Sequence, residues 1–266
     1  MHKIEISPAV MDRVRASRGR THMFDHLDPA RTAHIIVDLP NGFMGAGATV
    51  EIPQAREIVP NVNRISAAVR AAGGLNIFIR YLIDDTAIVR WSTWFTCFAT
   101  PERRKALNET FCRGCHGFEL WPELEVQAND LIVDKTRFGA FVPGSSDLHD
   151  ILQARGIDTL IITGTATNVC CESTARDAMQ MNYKVVFVAD GNATNTDAEH
   201  NATLNNMVRL FADVITAEEL VEFLRSSSAA REAAEQTLLP KRLTGSAPRS
   251  ADLLSGGRGG ALRFVE

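Results

Sequence analysis

Six short apolar runs, most of them separated by a helical pattern, constrain this chain more than any other feature. They are AHIIVDL (33–39), GLNIFIRY (74–81), DLIVDK (130–135), IDTLIITGT (157–165), YKVVFVAD (183–190) and ADVIT (212–216). Near-continuous Ile, Val and Leu over such lengths is the pattern of strands buried on both faces. Helical patterns occupy 53–74, 145–156, the segment after Cys170, and 197–212. Pro53 suits a first helical turn, Pro60 demands a kink or a later start, and AAGG and ARG are helix stops. This alternation predicts an α/β fold: βαβ units forming a six-stranded, mainly parallel sheet covered on both faces.

The predicted domain spans 31–225. Residues 1–30 read as an extension, a short helix and a loop wrapped on that domain. Residues 226–266 read as a C-terminal tail, Gly/Ser/Arg-rich toward its end, that is either flexible or a partner-docking arm. The longest gap between strands, 82–129, holds three tryptophans and several phenylalanines. It is too long for a plain connection and too aromatic for a linker, so it is expected to form a lid or one wall of a site. With 45% hydrophobic and 23% charged residues and a formal net charge of −4, the chain has no general attraction to nucleic acid or anionic membrane. No window approaches a membrane span. The N-terminus carries charges where a secretory signal needs an apolar core, which predicts a cytoplasmic protein with its five cysteines mostly reduced.

In an open parallel sheet, ligands bind beyond the carboxyl ends of the strands. The first run ends in Asp38, the third in Asp134–Lys135, and the fourth leads into TGTATNVCC. An acid, a lysine and a cysteine thus arrive at one edge from three strands. Each alone has an ordinary structural explanation: a cap, a solvated amine, a small buried hydrophobe. Together they specify acyl transfer through a cysteine. The thiolate is favoured by a helix N-terminus and a nearby ammonium, and the aspartate accepts its proton and returns it to a leaving amine. Asn168 is a candidate N-cap, which puts Cys170 and Cys171 in the first helical turn. Cys171, Ala175 and Ala178 form a small apolar stripe suited to packing on the sheet, whereas Cys170 shares a face with Thr174 and Asp177. The stripe favours Cys170 as nucleophile, although the pattern alone leaves Cys171 open.

The segment TGTATNVCCESTARDA (163–178) resembles the nucleophile segment of the isochorismatase-like cysteine hydrolases. IIVDLPNGF resembles their aspartate segment and IVDKTRFGAF their lysine segment. The similarity runs from about Thr32 to Leu224, with the three segments in order. It implies a Rossmann-like three-layer α/β/α fold, often in homo-oligomers (dimer or tetramer), and a catalytic Asp38–Lys135–Cys170 triad. It also implies an oxyanion hole from the backbone N–H groups of Ala166 and Cys170, and a cis peptide between Thr165 and Ala166. Cys170 falls at the family's nucleophile position; Cys171 falls where valine is usual.

Two departures narrow the chemistry. Pro40 replaces a common Gln, leaving Asp38 in place but altering the pocket floor beside Asn41. Nicotinamidases of this superfamily bind a metal through an Asp and two His after the second strand, where this chain reads IFIRYLIDDTAIVRW without histidine. No metal and no cofactor is therefore expected. CRGCH (112–116) matches a c-type haem attachment pattern and half a zinc site, but neither its context nor a second cysteine pair supports either, and it reads as a chance match. A redox-sensitive pair near the lid is the alternative. His34, inside a strand, reads as a satisfied core residue. Phe43, Trp91, Trp94, Phe138 and Phe141 are candidate pocket walls, each with core or interface packing as the alternative. Arg80 or Arg137 is the candidate for meeting a carboxylate. The expected activity is a cysteine-dependent amidohydrolase acting on a small amide, carbamoyl or ureido compound. A vinyl-ether hydrolase is disfavoured by Cys170. A non-catalytic binding or redox-responsive protein is disfavoured by the complete triad.

Overall fold

A computed structural model describes the backbone of residues 1–238 and the side chains of 1–227. In chain order the elements are α1 (Pro8–Arg18), β1 (Thr32–Val37), α2 (Asn41–Met44), α3 (Ala55–Ala71), β2 (Leu75–Tyr81), α4 (Asp85–Arg90), α5 (Ser92–Cys97) and α6 (Pro101–Phe111). They continue as β3 (Leu131–Lys135), α7 (Leu148–Ala154), β4 (Thr159–Thr165), α8 (Glu172–Gln180), β5 (Lys184–Ala193), α9 (Asp197–Asn206), β6 (Asp213–Ile215) and α10 (Ala217–Leu238). Each of the six predicted strands is present. All pair in parallel in the order β3-β2-β1-β4-β5-β6.

The strand residues divide by alternation. Ile35, Val37, Ile77 and Ile79 pack toward Leu148 and Leu152 of α7 and Ala175 and Ala178 of α8, while Ile161, Val186 and Val188 pack toward Ile65 and Val69 of α3 and Leu220 and Leu224 of α10. The result is the three-layer α/β/α arrangement. α3 runs through Pro60 rather than starting after it. The N-terminal segment packs against α9 and the core. Val14 of α1 is fully buried, and the Glu5 and Ser7 amides donate to Asn201 and Asn205 of α9. α10 continues the chain past 225; the rest of the expected tail, 239–266, lies outside the described residues. No helix among the described residues is long and apolar enough to cross a membrane.

Sheet order fixes where a site can form. The chain lays down β1, β2 and β3 in one direction, then returns to place β4 on the other side of β1. Between β1 and β4 the connections leave in opposite directions, which opens a crevice at their carboxyl ends.

Candidate active site

Four adjacent strands bring one residue each to that crevice. Register places Lys135 of β3 opposite Tyr81 of β2, and Val37 of β1 opposite both Ile79 and Gly164. Asp38, one residue beyond β1, has a left-handed backbone with φ of 47°. Aspartate is among the few residues that tolerate this region. Asp38 is held there from two sides: its amide donates to the Ile79 carbonyl at 3.0 Å, and its own carbonyl accepts from the Thr165 hydroxyl. Gly164, with φ of 121°, lets β4 approach β1, because a Cβ there would collide with the Val37 carbonyl. The Thr165–Ala166 peptide is cis.

Lys135 reaches across the Tyr81 ring, 4.9 Å from its centroid, and its Nζ lies 2.6 Å from Asp38 Oδ2. Both charged side chains are fully buried. Nζ also donates to the Arg137 carbonyl at 3.0 Å. The buried Cys170 thiol neighbours this pair and feels the charges of both Asp38 and Lys135. Burial raises the Asp38 carboxyl above its usual range, with Lys135 offsetting part of the effect. Burial works against the Lys135 charge, but Asp38 and Cys170 outweigh it and its pKa is raised.

The thiol itself departs from expectation. Burial pushes Cys170 up to about 12, and Lys135 opposes this only in part because Asp38 acts in the other direction. Burial thus works against a resting thiolate. The local backbone also departs from expectation. The expected first turn of a helix capped by Asn168 is instead a π-turn, Thr167–Cys171, in which the Cys171 amide donates back to Ala166. Asn168 accepts from the Thr194 hydroxyl at 2.7 Å and caps nothing. Cys171, Ala175 and Ala178 do form the fully buried stripe.

A cavity of about 260 Å³ opens on Cys170. Its walls are mostly aromatic and aliphatic: Phe43 of α2, Tyr81 of β2, Trp94 of α5, Leu107 and Phe111 of α6, and Phe138 beyond β3. Ala166 and Val169 adjoin the thiol in the lining, and Glu51, Arg103 and Asn195 supply polar groups. The Tyr81 hydroxyl is buried without a hydrogen-bond partner among the described residues, and burial, with Cys170 and Asp38 nearby, raises its pKa. It is a neutral donor.

Residues 32–219 match the isochorismatase domain family. The chain belongs to this family. It is 32% identical over 203 residues, 74% of this chain and 96% of the relative, to an uncharacterized isochorismatase family protein, YwoC, of Bacillus subtilis (strain 168). It is 30% identical over 216 residues, 76% of this chain and 85% of the relative, to the ureidoacrylate amidohydrolase RutB of Variovorax paradoxus (strain S110). Among solved structures, the cysteine hydrolase from Pseudomonas syringae pv. phaseolicola 1448A superposes with a TM-score of 0.67 at 26% identity, covering 78% of this chain and 99% of that one.

This isochorismatase-family chain brings Asp38, Lys135 and Cys170 together, and lines the cavity with Ala166, Phe43, Trp94 and Phe138. Other expected pocket residues lie elsewhere. Arg80 is paired with Asp134 at 2.8 Å and stacked 4.1 Å over Phe118. Arg137 does not line the cavity; its guanidinium donates to the Thr136 carbonyl at 2.9 Å and lies 5.3 Å over Trp91. Trp91 stands behind the wall, stacked on Trp94 and edge-on to Phe138. Phe141 is core, packed on Tyr183. Asn41 ties α2 to the loop after α6 through the His116 carbonyl at 3.0 Å. Pro40 bridges to Leu120 in the same contact.

His34 is a buried core residue whose ring nitrogens meet Thr163 and Ser66. Cys112 and Cys115 are paired as a disulfide, the alternative to a chance match, and Cys97, Cys170 and Cys171 are free. Among the described residues no group of three or more His, Cys, Asp or Glu is placed to hold a metal ion. Nine lining residues are absent from the sequence reading, among them Tyr81 and, on α6, Arg103, Leu107 and Phe111. Tyr81 ends an apolar run, the position already judged decisive in three other strands. The other three sit on α6, whose start was legible in Thr100–Pro101–Glu102: a cap that accepts from the Arg103 amide, then Pro in the first turn.

Proposed function

We propose that this protein is a cysteine-dependent amidohydrolase that cleaves the C–N bond of a small amide, carbamoyl or ureido compound through a thioester on Cys170. The observation that carries this reading is the fully buried Asp38–Lys135 pair against the Cys170 thiol at the end of a small, largely apolar cavity. Burying two charges is costly and is not explained by stability alone. The likeness to a ureidoacrylate amidohydrolase supports C–N hydrolysis.

Because burial works against a resting thiolate, proton transfer accompanies attack. Asp38, made more basic by burial, takes the Cys170 proton as the sulfur bonds to the amide carbonyl carbon. Lys135 keeps the buried carboxylate in place and offsets the negative charge shared between oxygen and sulfur. The carbonyl oxygen becomes an oxyanion, which the amides of Ala166 and Cys170 receive. As the C–N bond breaks, the nitrogen takes the proton back from Asp38 and leaves as ammonia or an amine. Water then attacks the thioester, giving its proton through Asp38 to the departing sulfur, and the acid product and free thiol are restored.

The test is ammonia release without added metal, across simple amides, N-carbamoyl amines, ureido acids and nicotinamide. Turnover of one class, lost in Cys170→Ala and retained in Cys171→Ala, is the expected result. Turnover that survives Cys170→Ala would remove the reading.

A further inference from the structure

One side chain of the N-terminal arm is buried where its neighbours are not. Only 3% of the His2 side-chain surface is exposed, whereas Met1, Lys3, Ile4 and Glu5 are exposed residues. The arm runs along α9: the Lys3, Glu5 and Ser7 amides donate to Asp197, Asn201 and Asn205, which lie one turn apart on that helix. A buried polar ring must find partners, and His2 has two of opposite kind. Its Nδ1 donates to Asp197 Oδ1 at 2.8 Å, and its Nε2 accepts from the Thr194 amide at 3.0 Å. A neutral ring with its proton on Nδ1 satisfies both.

From this seat two threads lead to the turn that carries the nucleophile. The Thr194 hydroxyl donates to Asn168 Oδ1 at 2.7 Å. The His2 ring also stacks on His200 with centroids 4.4 Å apart, and His200 Nδ1 lies 2.9 Å from the Thr167 hydroxyl. Thr167 and Asn168 open the π-turn that ends at Cys171, directly after Ala166. We propose that His2 is a positioning residue: by holding Thr194 and His200 it fixes Thr167 and Asn168, and so aims the Ala166 and Cys170 amides at the developing oxyanion. This rests on the amidohydrolase reading for the reaction, while the mechanical link from arm to turn does not. A turn slightly out of place weakens bonds made chiefly in the transition state, so the loss falls on kcat rather than KM.

The full chain is compared with His2→Ala and with His2→Gln, which keeps an acceptor for the Thr194 amide. Hydrogen exchange mapped by peptide mass needs no substrate. In His2→Ala, exchange across 166–171 should be faster by about tenfold or more, with β1 and β3 unchanged. Ammonia release, measured in parallel, should show kcat lowered by about tenfold to a hundredfold with KM within about threefold. His2→Gln should lie closer to the wild type in both readouts. Unchanged exchange at 166–171, an equal rise in β1 and β3, a loss confined to KM, or His2→Gln no better than His2→Ala would overturn the inference. Faster exchange at 166–171 in His2→Ala, with no turnover by the wild type, would leave the link standing and remove the amidohydrolase reading.

Discussion

The strand-end group and the wall formed by residues 82–129 meet at the same cavity but are built differently. Asp38, Lys135 and Cys170 are buried at the ends of paired strands, where register fixes each backbone and burial removes solvent. The wall is three short helices with Trp94 half-buried and Arg103 exposed. Chemistry that depends on tenths of an ångström sits on the sheet, and recognition sits on helices that can be exchanged without disturbing the sheet. Mutations in the two regions should therefore fail in different ways.

The largest expected effect is on the strand-end group. Cys170→Ala should lower turnover by at least about a thousandfold, with the thermal transition little changed; Cys171→Ala should retain turnover within about tenfold of wild type. Parallel initial rates and melting curves check both. Next, Lys135→Met leaves Asp38 charged and unpaired in the core. It should cost about 3–5 kcal/mol in denaturant unfolding, with much of that recovered in Asp38→Leu/Lys135→Met. A Lys135→Met protein as stable as wild type would break the claim that this region is electrostatically rigid.

A smaller effect concerns pH. Burial lowers His34 to about 3 and His200 to about 4, both below the ordinary 6.5. Their neutral forms are favoured in the folded protein, so this contribution is complete above about pH 6.5 and lost as pH falls from there toward the folded values. Unfolding midpoints across that window should decline with acid, and less so in His34→Gln. In the wall, Trp94→Leu removes one stacked and two edge-on aromatic contacts. It should change kcat/KM by no more than about tenfold, with the pH at which activity fails in acid unchanged, since that limb belongs to Asp38. A Trp94→Leu loss as large as that of Cys170→Ala would erase the distinction between the two regions.

The same distinction explains what was legible. Strands buried on both faces are written as apolar runs, and functional residues at their ends stand out against that background; Asp38, Lys135 and Cys170 were all readable in this way. The wall has no such background. Arg80 and Arg137 were plausible anion contacts by position in the chain, but ion pairing with Asp134 and stacking on Trp91 are tertiary facts. Arg103 looked like one basic residue among PERRK. The burial that opposes the thiolate was hidden for a related reason: neighbouring charges can be inferred from strand ends, but the extent of burial around them cannot.

The most direct test of the central claim is to trap the acyl-enzyme. Wild-type protein mixed with a turned-over substrate is acid-quenched within one turnover, and its peptides are mapped by mass. The account predicts an acyl adduct on Cys170 alone, absent in Cys170→Ala. An adduct on Cys171, or steady turnover with neither cysteine ever modified, would contradict it.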